Sequence, residues 1–493
     1  MNAALALPIA APLLGAAISI AVRQLVIQRI VSFLSLGISL ISAIIITVDV
    51  SRDTDITVSR LGGWPANIAI TLVADRLAAM MLIISVAVLI IVLAFAIGQR
   101  AVDEHSSVYH PVYLVLAAGI AQSFLAGDLF NLFVAFELML IASYVLLTLE
   151  GTDEQIQSGI TYVVLNTVKS LILLTAVGLI FAATGTVNMA EAPERLAALP
   201  DGVRIGLNLM LLVAFGIKAA IFPLYFWLPD SYPAAPSSVT AVFAGLLTKV
   251  GVYGIIRTET LLFPGGQSTL LIWIAGFTMV VGVIGAISHS QMKRLLSFHI
   301  VSQIGYIVMG IAIGTKAAIA AAVFYILHQI PVKTSLFLVE GIIEKETGAS
   351  AFDKVGGLAR RSGYFALLFM IPAFSLAGLP PFSGFLAKYS LVRSGFDDGQ
   401  WIIIAIAIAV SLMTLISMTK IWIGLFWGEV MPEVPPQRVG VLRHHRTMTT
   451  ATVVMIAGTL AIAVFAGPLY DFCIGAAEQL INPNNYIQAV RSS

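Results

Sequence analysis

Apolar runs of about twenty residues recur along almost the whole chain, parted by short stretches where Gly, Pro, Asp and Arg gather. Each run is long enough for an α-helix to cross the hydrocarbon core of a bilayer. Fourteen spans are predicted, at 3–22, 27–48, 77–98, 111–127, 129–149, 156–184, 205–224, 237–262, 268–289, 295–313, 317–340, 364–392, 401–428 and 450–470. The longest connections, 49–76, 341–363 and 429–449, are too short for a soluble domain. No basic residue precedes the first run and no clear cleavage site follows it, so it reads as a retained helix. The expected fold is an all-α, polytopic membrane protein.

Composition agrees. Apolar residues make up 59% of the chain and charged residues 11%, and mean hydropathy is +0.97. A surface with so little charge is solvated by lipid. A net charge of +1 gives no electrostatic reason to expect a nucleic-acid partner. The one cysteine, Cys473, cannot form an internal disulfide. No phosphate loop, nucleophile elbow, paired CxxC or metal-ligand spacing occurs, so neither a cofactor, a metal nor covalent catalysis is expected.

Charges inside the spans therefore stand out. Six lysines lie there: Lys169, Lys218, Lys249, Lys333, Lys388 and Lys420. Unpaired at the bilayer centre, each costs ~3 kcal/mol on the insertion scale. A lysine can shed its proton when desolvated, which suits titration better than a permanently charged arginine. Lys169 and Lys420 also have the bland option of snorkelling to the interface. Glu137, in Phe-Val-Ala-Phe-Glu-Leu-Met, is the carboxylate set well inside a span, and it needs a cationic partner. His299 and His328 add two titratable rings. His328 and Lys333 are five residues apart, which puts them on different faces of an ideal helix. Pro331 between them suggests a π-bulge that would realign them.

The charges also repeat. The fourth to eighth spans and the ninth to thirteenth form two sets of five. The second members carry Glu137 and His299; the third carry Lys169, and His328 with Lys333. The fourth carry Lys218 and Lys388, the fifth Lys249 and Lys420. Both fourth members, spans seven and twelve, are broken by proline, chiefly Pro223 and Pro229 in one and Pro380 and Pro381 in the other. An odd number of helices reverses orientation, so the expectation is two inverted repeats with broken helices marking the path. The chain then divides into N-terminal helices at 1–110, the repeats 111–263 and 264–430, and a C-terminal loop and helix at 431–493.

Three motifs carry a family resemblance: Lys218-Ala-Ala-Ile-Phe-Pro-Leu-Tyr-Phe-Trp-Leu-Pro-Asp230; Lys293-Arg294 with Ser302-Gln303-Ile-Gly305-Tyr306; and Gly378-Leu-Pro-Pro-Phe-Ser-Gly384 with Lys388. Gly62-Gly63-Trp64-Pro65 with Asp75 adds to them. The chain resembles the antiporter-like subunits shared by respiratory complex I, membrane-bound hydrogenases and multisubunit Mrp sodium/proton antiporters. Phe298-His299 and His328-Gln-Ile-Pro-Val-Lys333 favour the D-type members of the Mrp branch, and the chain has no room for the long extension of the large A-type ones. The resemblance implies a proton-translocating subunit of a cation (Na+)/H+ antiporter in a prokaryotic cell membrane, driven by the proton motive force. It implies partners among the other Mrp subunits, including the large A-type one and small hydrophobic ones such as the C-type. It also implies a Glu137–Lys218 pair, a central Lys249, a His328/Lys333 relay and an exit at Lys388. His299, Lys169, Lys420 and Asp230 are further path candidates without an implied role. The alternative is a proton-pumping subunit of a complex I-like oxidoreductase or a membrane-bound hydrogenase.

Overall fold

The computed structural model describes residues 2–52, 56–62, 64, 69–104, 107–428 and 445–492. Its long helices run in chain order as α1 (Asn2–Ala21), α2 (Leu25–Arg52), α3 (Arg76–Gln99), α4 (Tyr109–Leu125), α5 (Leu129–Leu147), α6 (Asp153–Thr184) and α7 (Asp201–Ala219). There follow α8 (Ser237–Leu262), α9 (Ser268–Ser288), α10 (Met292–Ile313), α11 (Lys316–Thr347), α12 (Gly363–Ala377), α13 (Ser383–Asp397) and α14 (Trp401–Trp427). The last three are α15 (Arg446–Val464), α16 (Ala466–Ile481) and α17 (Asn484–Ser492). Twelve of the described helices are long and apolar enough to cross a membrane, and α4 and α12 are shorter apolar ones.

Local chemistry sets the ends. Asp75, Asp128, Thr152, Thr315 and Ser362 cap α3, α5, α6, α11 and α12 by accepting from a backbone N–H three residues on. The outward faces of α1, α2, α6 and α14 carry exposed Ile20, Leu34, Ile160 and Ile402, which only lipid would solvate without penalty. By contrast α8 and α11 are buried along almost their whole length and form the centre.

Two details depart from the expected layout. Residues Thr57–Arg60 and Thr71–Ala74 pair as a small antiparallel hairpin, with Thr57 opposite Ala74. The hairpin's link carries the Gly62-Gly63-Trp64-Pro65 motif, of which Gly63 and Pro65 lie outside the described residues, as does 429–444. The C-terminal α16 and α17 dock against the rest: Arg60 donates to the Val490 carbonyl at 2.5 Å, and Arg491 pairs with Glu194 at 2.7 Å. That contact holds the exposed Glu194 carboxyl below its ordinary range.

Candidate functional site

Glu137 lies midway along α5, and its partner is Lys169 of α6, with Nζ 3.7 Å from Oε1. The Ser170 hydroxyl donates to the same oxygen. Lys169 is fully buried with its ammonium over the Phe136 ring, whereas the Glu137 side chain is 31% exposed at the outer wall. The direct Glu137–Lys218 pair is therefore not formed; Lys169 holds that place. Lys218 is on the neighbouring rung. It lies in the last turn of α7, before Ala220 turns left-handed at φ 59°, and helix C-termini favour a cation. Its Nζ donates to the Tyr162 hydroxyl at 3.4 Å, and Tyr162 shares a 2.7 Å hydrogen bond with Ser143. Two basic groups and one carboxylate thus share the seam of α5, α6 and α7.

Lys249 follows a π turn, Phe243–Leu247, inside α8. A π turn shifts the helical register by one residue, and Lys249 Nζ donates to the Ala244 carbonyl at 2.6 Å within it. The same helix holds a charge missing from the lysine set. Arg257 is buried and forks onto Asp75 at 2.6 and 2.7 Å, with its guanidinium over the Tyr253 and Tyr486 rings. Arginine keeps its proton, and this bidentate pair is already neutral. Arg257 and Asp75 therefore join α8 to the start of α3 and the C-terminal helix, and they do not relay protons. Its position near the end of the predicted span hid it, although Asp75 in the resemblance motif was a signal.

The π-bulge expected at Pro331 is absent: α11 is α-helical from Lys316 to Thr347 through Pro331. His328 and Lys333 consequently diverge. His328 Nδ1 lies 2.9 Å from Ser383 Oγ at the start of α13, and Ser383 lies 3.2 Å from Ser375 of α12. Lys333 Nζ is buried with no hydrogen-bond partner among the described residues. Lys249 and Lys388 are the charges that act on it.

The break at Gly378–Gly384 positions the remaining groups. Gly378 ends α12 at φ 87°, a conformation that favours glycine. At Gly384 an added methyl would overlap the Ser375 carbonyl oxygen and stand 3.0 Å from the His328 ring. Only glycine lets α13 cross there and bring Ser383 to His328. Lys388 then donates to the freed Ala377 carbonyl at 3.1 Å and to Ser411 at 3.0 Å, below the Tyr306 ring. His299 Nε2 meets the Ser417 hydroxyl.

Two candidates sit apart from this line. Lys420 donates to the carbonyls of Ile287 and His289 at 2.7 and 2.9 Å, closing the C-terminus of α9. Asp230 is exposed at a helix end and pairs with Arg294 at 2.6 Å. Pro223 occupies the turn after α7, Pro229 lies in the short helix Trp227–Ser231, and Pro380 and Pro381 separate α12 from α13. Among the described residues, no group of three or more His, Cys, Asp and Glu could hold a metal ion.

A sequence model described as NADH:quinone oxidoreductase/Mrp antiporter, transmembrane, matches residues 126–414. The D-type Na+/H+ antiporter subunit of Alkalihalophilus pseudofirmus is 42% identical over 99% of both chains. Its counterpart from Bacillus subtilis is 36% identical over the same share. A chain of the Mrp complex from Dietzia sp. superposes with a TM-score of 0.92 at 34% identity, covering 99% of this chain and all of that one. A chain of respiratory complex I from Thermus thermophilus shares the fold, with a TM-score of 0.83 at 22% identity over 97% of this chain and 99% of that one.

Proposed function

The chain belongs to the NADH:quinone oxidoreductase/Mrp antiporter family, and on that premise we propose that it is the proton-carrying, D-type subunit of a multisubunit Na+/H+ antiporter. It is a multi-pass membrane protein and a transporter subunit rather than an enzyme. Other subunits are its partners, and we assign the large A-type subunit, together with small hydrophobic ones such as the C-type, to that role. Residues 111–263 and 264–430 act as the two inverted five-helix units, each broken at its fourth helix, between the N-terminal helices of 1–110 and the C-terminal segment of 431–493.

One observation carries the reading: Lys169, Lys218, Lys249, Lys333 and Lys388 are buried along the middle of the bundle, yet among the described residues Glu137 is the one carboxylate paired with any of these five. Fixed ammonium groups at that density would repel one another in a medium of low dielectric. Amines that exchange protons avoid the conflict. The path runs from Glu137 and Lys169 through Lys218 and Lys249 to Lys333, His328 and Lys388. His299 lies beside it. A Glu137 that trades Lys169 for Lys218 would couple the first step to the field, because 100 mV supplies about 2.3 kcal/mol per charge.

Affinity purification of the tagged chain from its native membrane tests the assignment. Co-purification of the A-type and small hydrophobic subunits is the expected result. Iron–sulfur or quinone-site subunits in their place would contradict it.

A further inference from the structure

One deeply buried carboxylate has no role in the path above. Glu340 lies in α11, seven residues beyond Lys333, so it projects from nearly the same face about 10 Å further along. It is fully buried, with the Ser237 and Ser350 hydroxyls beside it but neither carboxylate oxygen in a hydrogen bond of normal geometry among the described residues. Four residues on, Glu344 accepts from the Ser237 hydroxyl at 2.5 Å and pairs with Lys293 at 3.3 Å. The Glu344 side chain is 41% exposed, so this end of α11 opens at a membrane surface. The charges of Lys293 and Glu344 act on Glu340, and Glu150, just past the end of α5, acts on Lys293.

The seam between α8 and α11 continues inward from there. The two helices run antiparallel, since Gly341 meets Ser237 and Gly245 meets Thr334. Ser238 and Thr248 on one side, and Lys333 and Ser335 on the other helix, each hold a buried polar atom without a partner among the described residues. An unsatisfied buried polar group costs about 1–3 kcal/mol, and groups of this kind are normally satisfied by water. Lys293 makes its 3.3 Å contact with Glu344, and Glu340 acts on it as a second carboxylate without a direct ion pair among the described residues.

We propose that Glu340 passes protons between the Lys293–Glu344 surface and Lys333, which makes the α8–α11 seam one half-channel of the transport path. The inference rests on the proton-carrying role proposed above. In the step itself the Glu340 carboxylic acid gives its proton, through water, to the neutral Lys333 amine. Carboxylate and ammonium remain, and the carboxylate takes its next proton from the Glu344 end. No other reactant is required.

The test uses the assembled complex in everted vesicles, with Glu340→Gln, Glu340→Asp and Glu137→Gln compared for cation/proton exchange. Glu340→Gln is expected to lower exchange at least tenfold, while Glu340→Asp keeps at least a third of it. A membrane-soluble carbodiimide, which reacts with protonated carboxyl groups, is expected to label Glu340 of the unmodified complex, as read by peptide mass spectrometry. Wild-type exchange in Glu340→Gln, with Glu137→Gln blocked, overturns this proposal and leaves the proton-carrying role intact. Equal loss in both Glu340 variants with no carbodiimide adduct also overturns it, because the side chain would then be structural. If Glu340→Gln does not assemble, the adduct alone decides: its presence supports the half-channel and its absence removes it. Wild-type exchange in both Glu137→Gln and Glu340→Gln would bring down the proton-carrying role itself.

Discussion

A lysine in this protein is defined by what its ammonium touches. Among the described residues the Lys249 ammonium has one hydrogen-bond partner, the Ala244 carbonyl, and no carboxylate in ion-pair contact. Lys249→Arg should therefore leave less than about a tenth of wild-type exchange, since arginine keeps the charge and abolishes proton release. Full exchange in the arginine variant would make Lys249 an electrostatic element only. Lys420 gives the opposite expectation. It closes the end of α9 through two carbonyls, so Lys420→Ala should keep more than half of transport and lose about 1 kcal/mol of stability, the usual worth of such an end contact. Thermal unfolding and vesicle exchange, measured on the same preparation, separate the two effects. The lysines were legible in the sequence because a charge among twenty apolar residues is costly, although the sequence did not separate the snorkelling or helix-end case of Lys420 from the rest. Their partners were not, because Glu137 can reach cations on two neighbouring helices and only packing puts Lys169 closer. Arg257 escaped notice for a similar reason: nothing local tells a buried helix end from an exposed one.

Two helices are interrupted beside buried lysines, after Ala219 next to Lys218 and before Lys388, whereas α11 carries His328 and Lys333 without a break. The proline and glycine runs foretold the interruptions after Ala219 and Ala377, since free carbonyls at membrane depth require a partner. Pro331 was misread, because a proline deprives α11 of one hydrogen bond without forcing a bulge when every neighbour packs tightly around it. The π turns occur instead at Phe243–Leu247, Thr258–Leu262 and Trp422–Trp427, where no proline announces them. Pro331→Ala should accordingly leave exchange within twofold of wild type. A tenfold loss, with the protein folded, would mean that the missing backbone N–H matters to the path. Gly384→Ala should behave very differently. The added methyl would overlap the Ser375 carbonyl oxygen, so α13 must move off α12, separating Ser383 from His328. Exchange should fall at least tenfold, and a structure of the variant should show that separation; an unchanged Ser383–His328 contact with normal exchange would refute the crossing argument.

The molecule as a whole is a lipid-solvated bundle with a polar line through it, and that line suits protons better than sodium. A hard cation favours several converging oxygens. Among the described residues no acidic cluster offers them, and Glu137 is engaged by Lys169 and Ser170. Calorimetric titration of the purified chain should show no saturable sodium binding in the millimolar range, whereas binding that vanishes in Glu137→Gln would contradict this. The central claim, that Glu137 and the buried lysines conduct protons for the antiporter, is tested most directly by one assay. Everted vesicles containing the complex with Glu137→Gln in this chain are energised, and cation-dependent dissipation of the pH gradient is recorded alongside a native-gel check of assembly. The account predicts an assembled complex with less than about a tenth of wild-type exchange. An assembled complex that exchanges at the wild-type rate would contradict it.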